Sequence, residues 1–322
     1  VQTCALPISG VDAVSYAGSG SAVSVDLTRG GQGGSAEGDV YSGIEGVIGS
    51  AYNDTLTGDS GDNILAGGDG DDSIFGGSGN DTLVGGAGRD TLDGGEGTNA
   101  LSYAGSDAAV WVDLGANACH GGHAEGDVIR NFERVIGSDF DDTLTGSNTV
   151  ATTLDGGAGN DLFRASQAAT SHLGGSGVDT VSYAQSDAGV RVDLTAGVGE
   201  GGWAQGDAYD NMEAVVGSQH SDTITGNASD NSLDGGDGDD SIIGVAGNNT
   251  LRGGAGDDTL RSGSGADVID GGDGADVVDY SGTKGAVTVD LRMQSVSGGY
   301  GASDTLVSIE GVIGGTGNRS EE

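Results

Sequence analysis

The sequence predicts an all-β solenoid, a one-dimensional stack of coils built from short parallel strands. A nine-residue unit, Gly-Gly-x-Gly-x-Asp-x-aliphatic-x, occurs three times without interruption over residues 67–93. Of the 322 residues, 68 are Gly and only 4% are aromatic, a composition that cannot fill compact globular cores of that size. A stack in which each coil contacts only its neighbours suits this composition better.

Each unit divides into a six-residue turn and a three-residue strand. Glycine at positions 1, 2 and 4 permits positive φ and close backbone approach. Position 8, which is Ile74, Leu83 and Leu92 in these units, is expected to point into the coil. Because two units complete one coil, we expect the position-6 residues Asp72 and Asp90 to stack on the same edge.

Stacked carboxylates repel one another unless a cation lies between them. A hard cation that takes carboxylate and carbonyl oxygens from flexible turns is what Ca²⁺ prefers, whereas Mg²⁺ requires tighter octahedral geometry. The free-energy cost of ordering a glycine-rich unit, which is conformational entropy, exceeds the free energy gained by burying its one aliphatic side chain. Of the 50 acidic residues 40 are Asp, and this bias towards the shorter carboxylate favours turn-borne metal ligands. The sequence therefore predicts a fold that depends on calcium.

The unit recurs in three runs. The first run covers 49–102 and the third covers 217–279, and an aliphatic residue occupies position 8 in all thirteen of their units. The second run, 137–182, is damaged, because one unit carries an extra residue and another has lost its glycine turn. We expect the least stable coil there.

The residue at position 6 differs between the two edges of each run. Sorting units by parity places aspartates on one edge and a mixture of asparagine and aspartate on the other. Because asparagine offers a neutral oxygen, we predict one fully loaded calcium ladder and one weaker ladder. The predicted all-aspartate pairs are Asp54/Asp72, Asp72/Asp90, Asp222/Asp240, Asp240/Asp258, Asp258/Asp276 and Asp161/Asp179. The weaker edges carry Asn63, Asp81 and Asn99 in the first run and Asn231, Asn249 and Asp267 in the third.

The nonapeptide resembles the glycine-rich calcium repeat of RTX proteins, which are secreted bacterial toxins, proteases, lipases and adhesins. This resemblance implies a right-handed parallel β-roll and β-helix solenoid, disordered in low calcium and ordered outside the cell after type I secretion. It also implies that backbone carbonyls from turn positions 1 to 4 complete each site. They include the carbonyls of Gly68, Gly70, Gly86, Gly88, Gly236, Gly238, Gly254 and Gly256.

A longer block occurs four times between the runs. Each block starts at a tyrosine and continues through Val-Asp-Leu, a second aspartate and a glutamate at nearly constant spacing. We interpret the blocks as wider coils of the same stack, whose acidic residues are either further calcium ligands or exposed loop carboxylates. The tyrosines are Tyr16, Tyr103, Tyr183 and Tyr280; the later acidic residues are Asp39, Asp127, Asp207 and Asp304, then Glu45, Glu133, Glu213 and Glu310.

The repeats predict four modules. Residues 1–9 match nothing that follows and are interpreted as a cloning or assembly remnant or the tail of an upstream domain. The modules are expected at 10–97, 98–177, 178–274 and 275–322, the last of them truncated.

Several classes of function are disfavoured by the sequence. The formal charge of −39 with eleven basic residues argues against nucleic acid and an anionic membrane as partners, and no apolar run predicts membrane insertion. His120 and His123 lack the glutamate of a zinc protease motif, and no catalytic motif occurs, so we expect no enzyme within this chain.

We therefore expect a calcium-binding, monomeric module of a larger extracellular or cell-surface protein, most simply the stalk of an adhesin. The first alternative is the calcium module of a secreted enzyme or toxin whose catalytic domain lies elsewhere. An ice-binding array is a weaker alternative. An extracellular polysaccharide or another surface ligand is a candidate partner besides calcium.

Overall fold

The computed structural model describes residues 10–283, 285–299 and 301–314 and is built almost entirely of short strands. The chain divides into two compact units, Val1–Asp161 and Leu162–Glu322. The prediction of an all-β solenoid is confirmed in both units. The division into four modules stays a prediction.

The first unit contains sixteen strands and two short 3-10 helices among its described residues. The strands are β1 Ala13–Ser15, β2 Ser24–Asp26, β3 Gly30–Gln32, β4 Gly46–Ile48, β5 Thr55–Thr57, β6 Ile64–Asp69, β7 Ser73–Ser78, β8 Thr82–Ala87, β9 Thr91–Glu96, β10 Ala100–Ser102, β11 Trp111–Asp113, β12 Ala118–His120, β13 Val128–Arg130, β14 Arg134–Ile136, β15 Thr143–Thr145 and β16 Thr152–Ala158. The helices are Gly34–Ala36 and Gly122–Ala124.

The second unit contains eighteen strands and one 3-10 helix, Gly202–Ala204, in its described part. The strands are β17 Leu162–Arg164, β18 Thr170–Ser176, β19 Thr180–Ser182, β20 Arg191–Asp193, β21 Val198–Glu200, β22 Ala208–Asp210, β23 Ala214–Val216, β24 Thr223–Thr225, β25 Ser232–Asp237, β26 Ser241–Ile243, β27 Thr250–Ala255, β28 Thr259–Arg261, β29 Val268–Asp273, β30 Val277–Asp279, β31 Thr288–Asp290, β32 Ser295–Ser297, β33 Thr305–Val307 and β34 Gly311–Ile313.

Strands stack into sheets that run along each unit. In the first unit the strand orders are β1-β4-β6-β8-β10-β14-β16, β13-β9-β7-β5-β2-β3 and β12-β11-β15. In the second unit they are β18-β22-β21-β20-β24-β26-β28-β30-β34 and β17-β19-β23-β25-β27-β29-β33-β32-β31. Odd and even nonapeptides therefore fall in different sheets, as two units per coil require.

The register confirms the coil length. Ile64 pairs with Thr82 in parallel, and Thr250 pairs with Val268, so each partner lies eighteen residues along the chain. In the damaged run Arg134 pairs with Thr153, nineteen residues on. The extra residue is thus absorbed in the turn, and Leu154 still points inward with no exposed surface.

The core of each coil is formed by the position-8 side chains. All thirteen predicted aliphatic residues are at most 1% exposed, which confirms the inward strand position. They are Leu56, Leu65, Ile74, Leu83, Leu92, Leu101, Ile224, Leu233, Ile242, Leu251, Leu260, Ile269 and Val278.

The blocks between the runs are more elaborate than wider coils of parallel strands. Each folds back as an antiparallel hairpin, formed by the pairs β2/β3, β11/β12, β20/β21 and β31/β32. The aspartate of Val-Asp-Leu closes the hairpin turn in these blocks; Asp113 Oδ1, for example, accepts the N–H of Ala116 at 2.8 Å. Such short side chains stabilise turns by accepting nearby backbone N–H groups.

Candidate metal centre

The position-6 aspartates form a ladder along the edge of the coils. The backbone N–H of one aspartate donates to Oδ1 of the aspartate one coil later. Asp54 donates to Asp72 at 2.7 Å and Asp72 donates to Asp90 at 2.8 Å. The equivalent bonds in the second unit join Asp222 to Asp240, Asp240 to Asp258 and Asp258 to Asp276, at 2.7, 2.8 and 2.9 Å.

The opposite edge carries the same type of ladder. Asn63 donates to Asp81 Oδ1 at 2.8 Å, and Asn249 donates to Asp267 Oδ1 at 2.7 Å. The structure therefore brings the predicted residues together edge by edge within each unit. Asp161 lies at the end of the first unit and Asp179 in the second, so their pairing stays a prediction.

One carboxylate oxygen of the ladder aspartates meets no donor. In seven ladder aspartates, the Oδ2 atom is buried and has no hydrogen-bond partner among the described residues. The seven are Asp72, Asp81, Asp90, Asp240, Asp258, Asp267 and Asp276. A buried anionic oxygen without a partner is costly, and coordination by a cation removes that cost.

Glycine is required beside these oxygens. A Cβ placed on Gly67 would lie 2.0 Å from Asp72 Oδ2 and 2.7 Å from the Gly85 carbonyl oxygen. A Cβ on Gly86, which has a φ of +106°, would lie 1.9 Å from the Gly68 carbonyl oxygen. Carboxylate and carbonyl oxygens therefore crowd the same cradle on the turn side of the coil.

Burial alters the acidity of the ladder. The pKa of Asp72 and Asp240 is raised from 3.8 to about 7, chiefly by burial and also by the neighbouring ladder carboxylates, against the lowering effect of the accepted backbone hydrogen bond. Burial likewise raises the pKa of Asp90, Asp258 and Asp267 to about 6. The ion-free ladder thus resists full ionisation at neutral pH.

The donor set suits a hard cation. No group of three or more His, Cys, Asp or Glu side chains converges in the part of the chain that the structure describes. A cation here would therefore take backbone oxygens along with carboxylates, as Ca²⁺ does in turn-borne sites.

The family comparison identifies the repeats. The model described as RTX calcium-binding nonapeptide repeat (4 copies) matches residues 48–83, 75–105, 151–167, 216–251 and 243–278. The matched segments are RTX repeats. Such repeats bind several Ca²⁺ ions and are typical of secreted proteins, and no catalytic family was matched. The comparison with curated proteins gave no match.

The acidic residues of the blocks end the RTX ladders, a role that was not predicted. Asp127 Oδ1 accepts the N–H of Asp90 at 2.8 Å, where the next ladder aspartate would otherwise stand. Its Oδ2 accepts the hydroxyl of Tyr103 at 2.8 Å. Glu133 ends the opposite ladder by accepting the N–H of Asn99 at 2.8 Å. The second unit repeats this arrangement with Asp304 and Glu310 on Asp267 and Asp276.

A second, outer ladder runs along turn position 5 of the RTX repeats. Here the bond has the opposite direction: the N–H of Asp257 donates to Asp239 Oδ1, and the N–H of Ala275 donates to Asp257 Oδ1, both at 2.9 Å. The frequent Asp, Asn or Ser before the position-6 residue is the sequence signal for this ladder. These exposed side chains connect neighbouring turns by hydrogen bonds.

The histidines do not form a metal pair. His120 stacks on Trp111 with ring centroids 5.0 Å apart, whereas His123 Nε2 lies 4.0 Å from Asp107. No helix among the described residues is long and apolar enough to cross a membrane.

His172 has partners that sequence reasoning missed. It fills an inward position-8 slot in the damaged run and is fully buried. Its Nε2 lies 3.4 Å from Asp207 Oδ2, which also accepts the hydroxyl of Tyr183 at 2.5 Å. Its ring stacks on Tyr209 with centroids 5.7 Å apart.

Proposed function

We propose that this chain is a calcium-dependent folding module of a secreted protein, in which Ca²⁺ ions lie between neighbouring turns and hold the coils closed. The buried Oδ2 atoms of the seven ladder aspartates carry this proposal. Each lies in a glycine turn whose carbonyl oxygens supply the neutral ligands that Ca²⁺ requires.

The proposed ligands are Asp72 and Asp90 in the first unit and Asp240, Asp258 and Asp276 in the second, with Asp81 and Asp267 on the opposite edges. Asp161 and Asp179 are proposed on the sequence pattern alone. The backbone ligands would come from the glycine turns. They include Gly68, Gly70, Gly86, Gly88, Gly236, Gly238, Gly254 and Gly256.

Calcium binding supplies folding free energy that this composition does not provide through apolar contacts. The chain carries a formal charge of −39, and its ladders place carboxylates at eighteen-residue intervals along one edge. Divalent ions between these carboxylates remove their repulsion and convert binding free energy into folding free energy. Extracellular modules of this kind bind Ca²⁺ at about 10⁻⁴ to 10⁻³ M, so the module would order outside the cell.

A spacing role, as in the stalk of an adhesin, is the proposed use of the folded module. Its support is the quasi-one-dimensional stacking of repeats within each compact unit. Repeats that contact only their neighbours lengthen a stack each time one is added. The matched repeats are calcium-binding, and their position-6 residues form ladders along the edges of the coils.

The test is a calcium count. Asp240→Asn removes a proposed ligand charge with little change in shape, and equilibrium dialysis of the full chain is expected to show about one ion fewer per chain. Asp237→Asn, an exposed carboxylate in the same turn, is the control and should leave the count unchanged. An unchanged count for Asp240→Asn would contradict the proposed ligand set.

A further inference from the structure

The turns fall into two classes according to the residue at position 2. In the turns of the seven ladder aspartates named above, position 2 is a glycine at positive φ, as at Gly68 and Gly236 with φ of +114° and +104°, and the position-6 Oδ2 has no hydrogen-bond partner among the described residues. Where it is serine and position 6 is aspartate, the turn closes on its own aspartate. The three serine turns of this kind are Ser50 with Asp54, Ser138 with Asp142, and Ser218 with Asp222.

The serine satisfies both oxygens of the carboxylate in concert with the preceding block. In the second unit the Ser218 N–H donates to Asp222 Oδ2 at 2.5 Å, and the Ser218 hydroxyl donates to Oδ1 at 2.9 Å. The N–H of Val190 also donates to Oδ1 at 2.6 Å. Three donors therefore surround this buried carboxylate, which has no orphaned oxygen left for a cation.

The first unit repeats this arrangement twice. The Ser138 N–H and hydroxyl donate to Asp142 at 2.5 and 2.7 Å, and the N–H of Val110 donates at 2.8 Å. Asp54 is held in the same way by Ser50, and by the N–H of Val23 at 2.7 Å.

Turns with aspartate or asparagine at position 2 also close on themselves. The N–H of Asp59 donates to Asn63 Oδ1 at 2.8 Å, and the N–H of Asn227 donates to Asn231 Oδ1 at 2.8 Å. In both turns the position-6 residue is a neutral amide, which has no charge that needs a cation.

The turn of Asn249 shows an amide in the place of an ion. Its position 2 is Val245, and its Nδ2 donates to the carbonyl oxygens of Ala246, Gly247 and Ser262 at 3.2, 3.3 and 3.5 Å. The turn carbonyl oxygens, which in a calcium-binding turn would face the ion, thus accept hydrogen bonds from the Asn249 side-chain amide instead.

We propose that the residue at turn position 2 decides whether a turn takes a Ca²⁺ ion. Glycine leaves the position-6 carboxylate open to the ion, whereas serine, aspartate, asparagine or valine accompanies a turn that is closed by its own hydrogen bonds. Asp54, Asp142 and Asp222 are accordingly structural residues and not calcium ligands. This proposal rests on the proposed calcium module and removes Asp54 and Asp222 from the ligand set expected from the sequence pattern.

The consequence is that each of the three runs begins with a turn that closes without calcium. The three serine turns stand directly after the blocks, at residues 49–54, 137–142 and 217–222. Each gives the first glycine turns of its run a preformed neighbour on which to stack.

The experiment compares two matched aspartates on one ladder. Asp222 and Asp240 are eighteen residues apart and are 3% and 2% exposed. In equilibrium dialysis of the full chain, Asp222→Asn is expected to bind as many Ca²⁺ ions as the parent, whereas Asp240→Asn binds about one fewer. Equal losses from both variants would overturn the proposal. No loss from either would contradict the calcium module itself.

A gain of binding gives an independent test that does not depend on removing a buried charge. Ser218→Gly removes the hydroxyl and allows positive φ, and it is expected to add about one bound ion per chain by opening Asp222. Gln219→Gly, which adds the same backbone freedom to the same turn but keeps the serine, is the control and should leave the count unchanged. An unchanged count for Ser218→Gly, or an equal gain for both variants, would refute the role of position 2.

Discussion

Val245 occupies turn position 2 with a φ of +73°, where ten of the nonapeptide turns have a glycine. Left-handed backbone costs an ordinary L-residue about 1–2 kcal/mol, and a β-branched side chain is especially unfavourable there. The strain is tolerated because the turn is held by the Asn249 amide.

Val245→Gly is expected to stabilise the second unit. Relief of about 1–2 kcal/mol of strain exceeds the extra chain entropy of glycine, about 0.4–1 kcal/mol, so the midpoint of urea unfolding in calcium should rise. Val245→Ala keeps a Cβ at positive φ and should gain much less. A lower midpoint for the glycine variant would show that contacts of the valine side chain outweigh its strain.

Individual ladder residues were predictable to different degrees. Asp72 and Asp240 followed from the period of nine and the two-unit coil, because spacing alone fixes which residues share an edge. The closed state of Asp222 did not follow, since it depends on Ser218 and on Val190 from the preceding block. A repeat pattern does not predict contacts between segments that have different periods.

At the scale of elements, strand β18 departs from the rule that position 8 is aliphatic. His172 pairs in register with Tyr209, whereas the equivalent strands of the first unit pair Leu92 with Ile129. Its Nδ1 is buried and has no hydrogen-bond partner among the described residues. An unmade buried hydrogen bond costs about 1–3 kcal/mol.

His172→Leu is therefore expected to stabilise the damaged run. Leucine restores an apolar inward residue, and Asp207 keeps the hydroxyl of Tyr183 as a donor. Thermal unfolding in calcium should shift upward by an amount that corresponds to about 1 kcal/mol or more. His220→Leu, at an exposed histidine of the same unit, should have little effect. A loss of stability specific to His172→Leu would mean that the contact with Asp207 outweighs the unpaired nitrogen.

The strands of the runs were predictable and the blocks were not. The aliphatic residue at position 8 predicts each coil strand, because it recurs every nine positions. In the blocks, the alternation of Val23, Val25 and Leu27 is typical of a strand such as β2, but it carries no information on the direction of the partner strand. The antiparallel return to β3 depends on the turn that Asp26 closes by accepting the N–H of Thr28 at 2.9 Å.

At the scale of the whole molecule, the raised pKa of the ladder carboxylates links folding to pH. The ion-free folded chain holds protons on Asp72 and Asp240 up to about pH 7, whereas an unfolded aspartate releases its proton near 3.8. The folded form therefore binds more protons across this window, and its stability falls as pH rises.

Mild acid is accordingly expected to replace calcium in part. In calcium-free buffer the β-sheet circular dichroism signal should increase as pH is lowered from about 8 to about 5.5, because protonation removes the buried charge. The double variant Asp72→Asn/Asp240→Asn should show a weaker pH dependence. A β signal that declines over the same range would contradict the assignment of these carboxylates as the destabilising charges.

The central claim is that divalent ions, more than apolar contacts, keep the coils closed. Circular dichroism and hydrodynamic radius of the full chain, measured at neutral pH with calcium and again after chelation, test this most directly. The account predicts a compact β protein in calcium and an expanded chain with little β signal in chelator, with recovery when calcium is restored. Full β signal and an unchanged radius in excess chelator would contradict it.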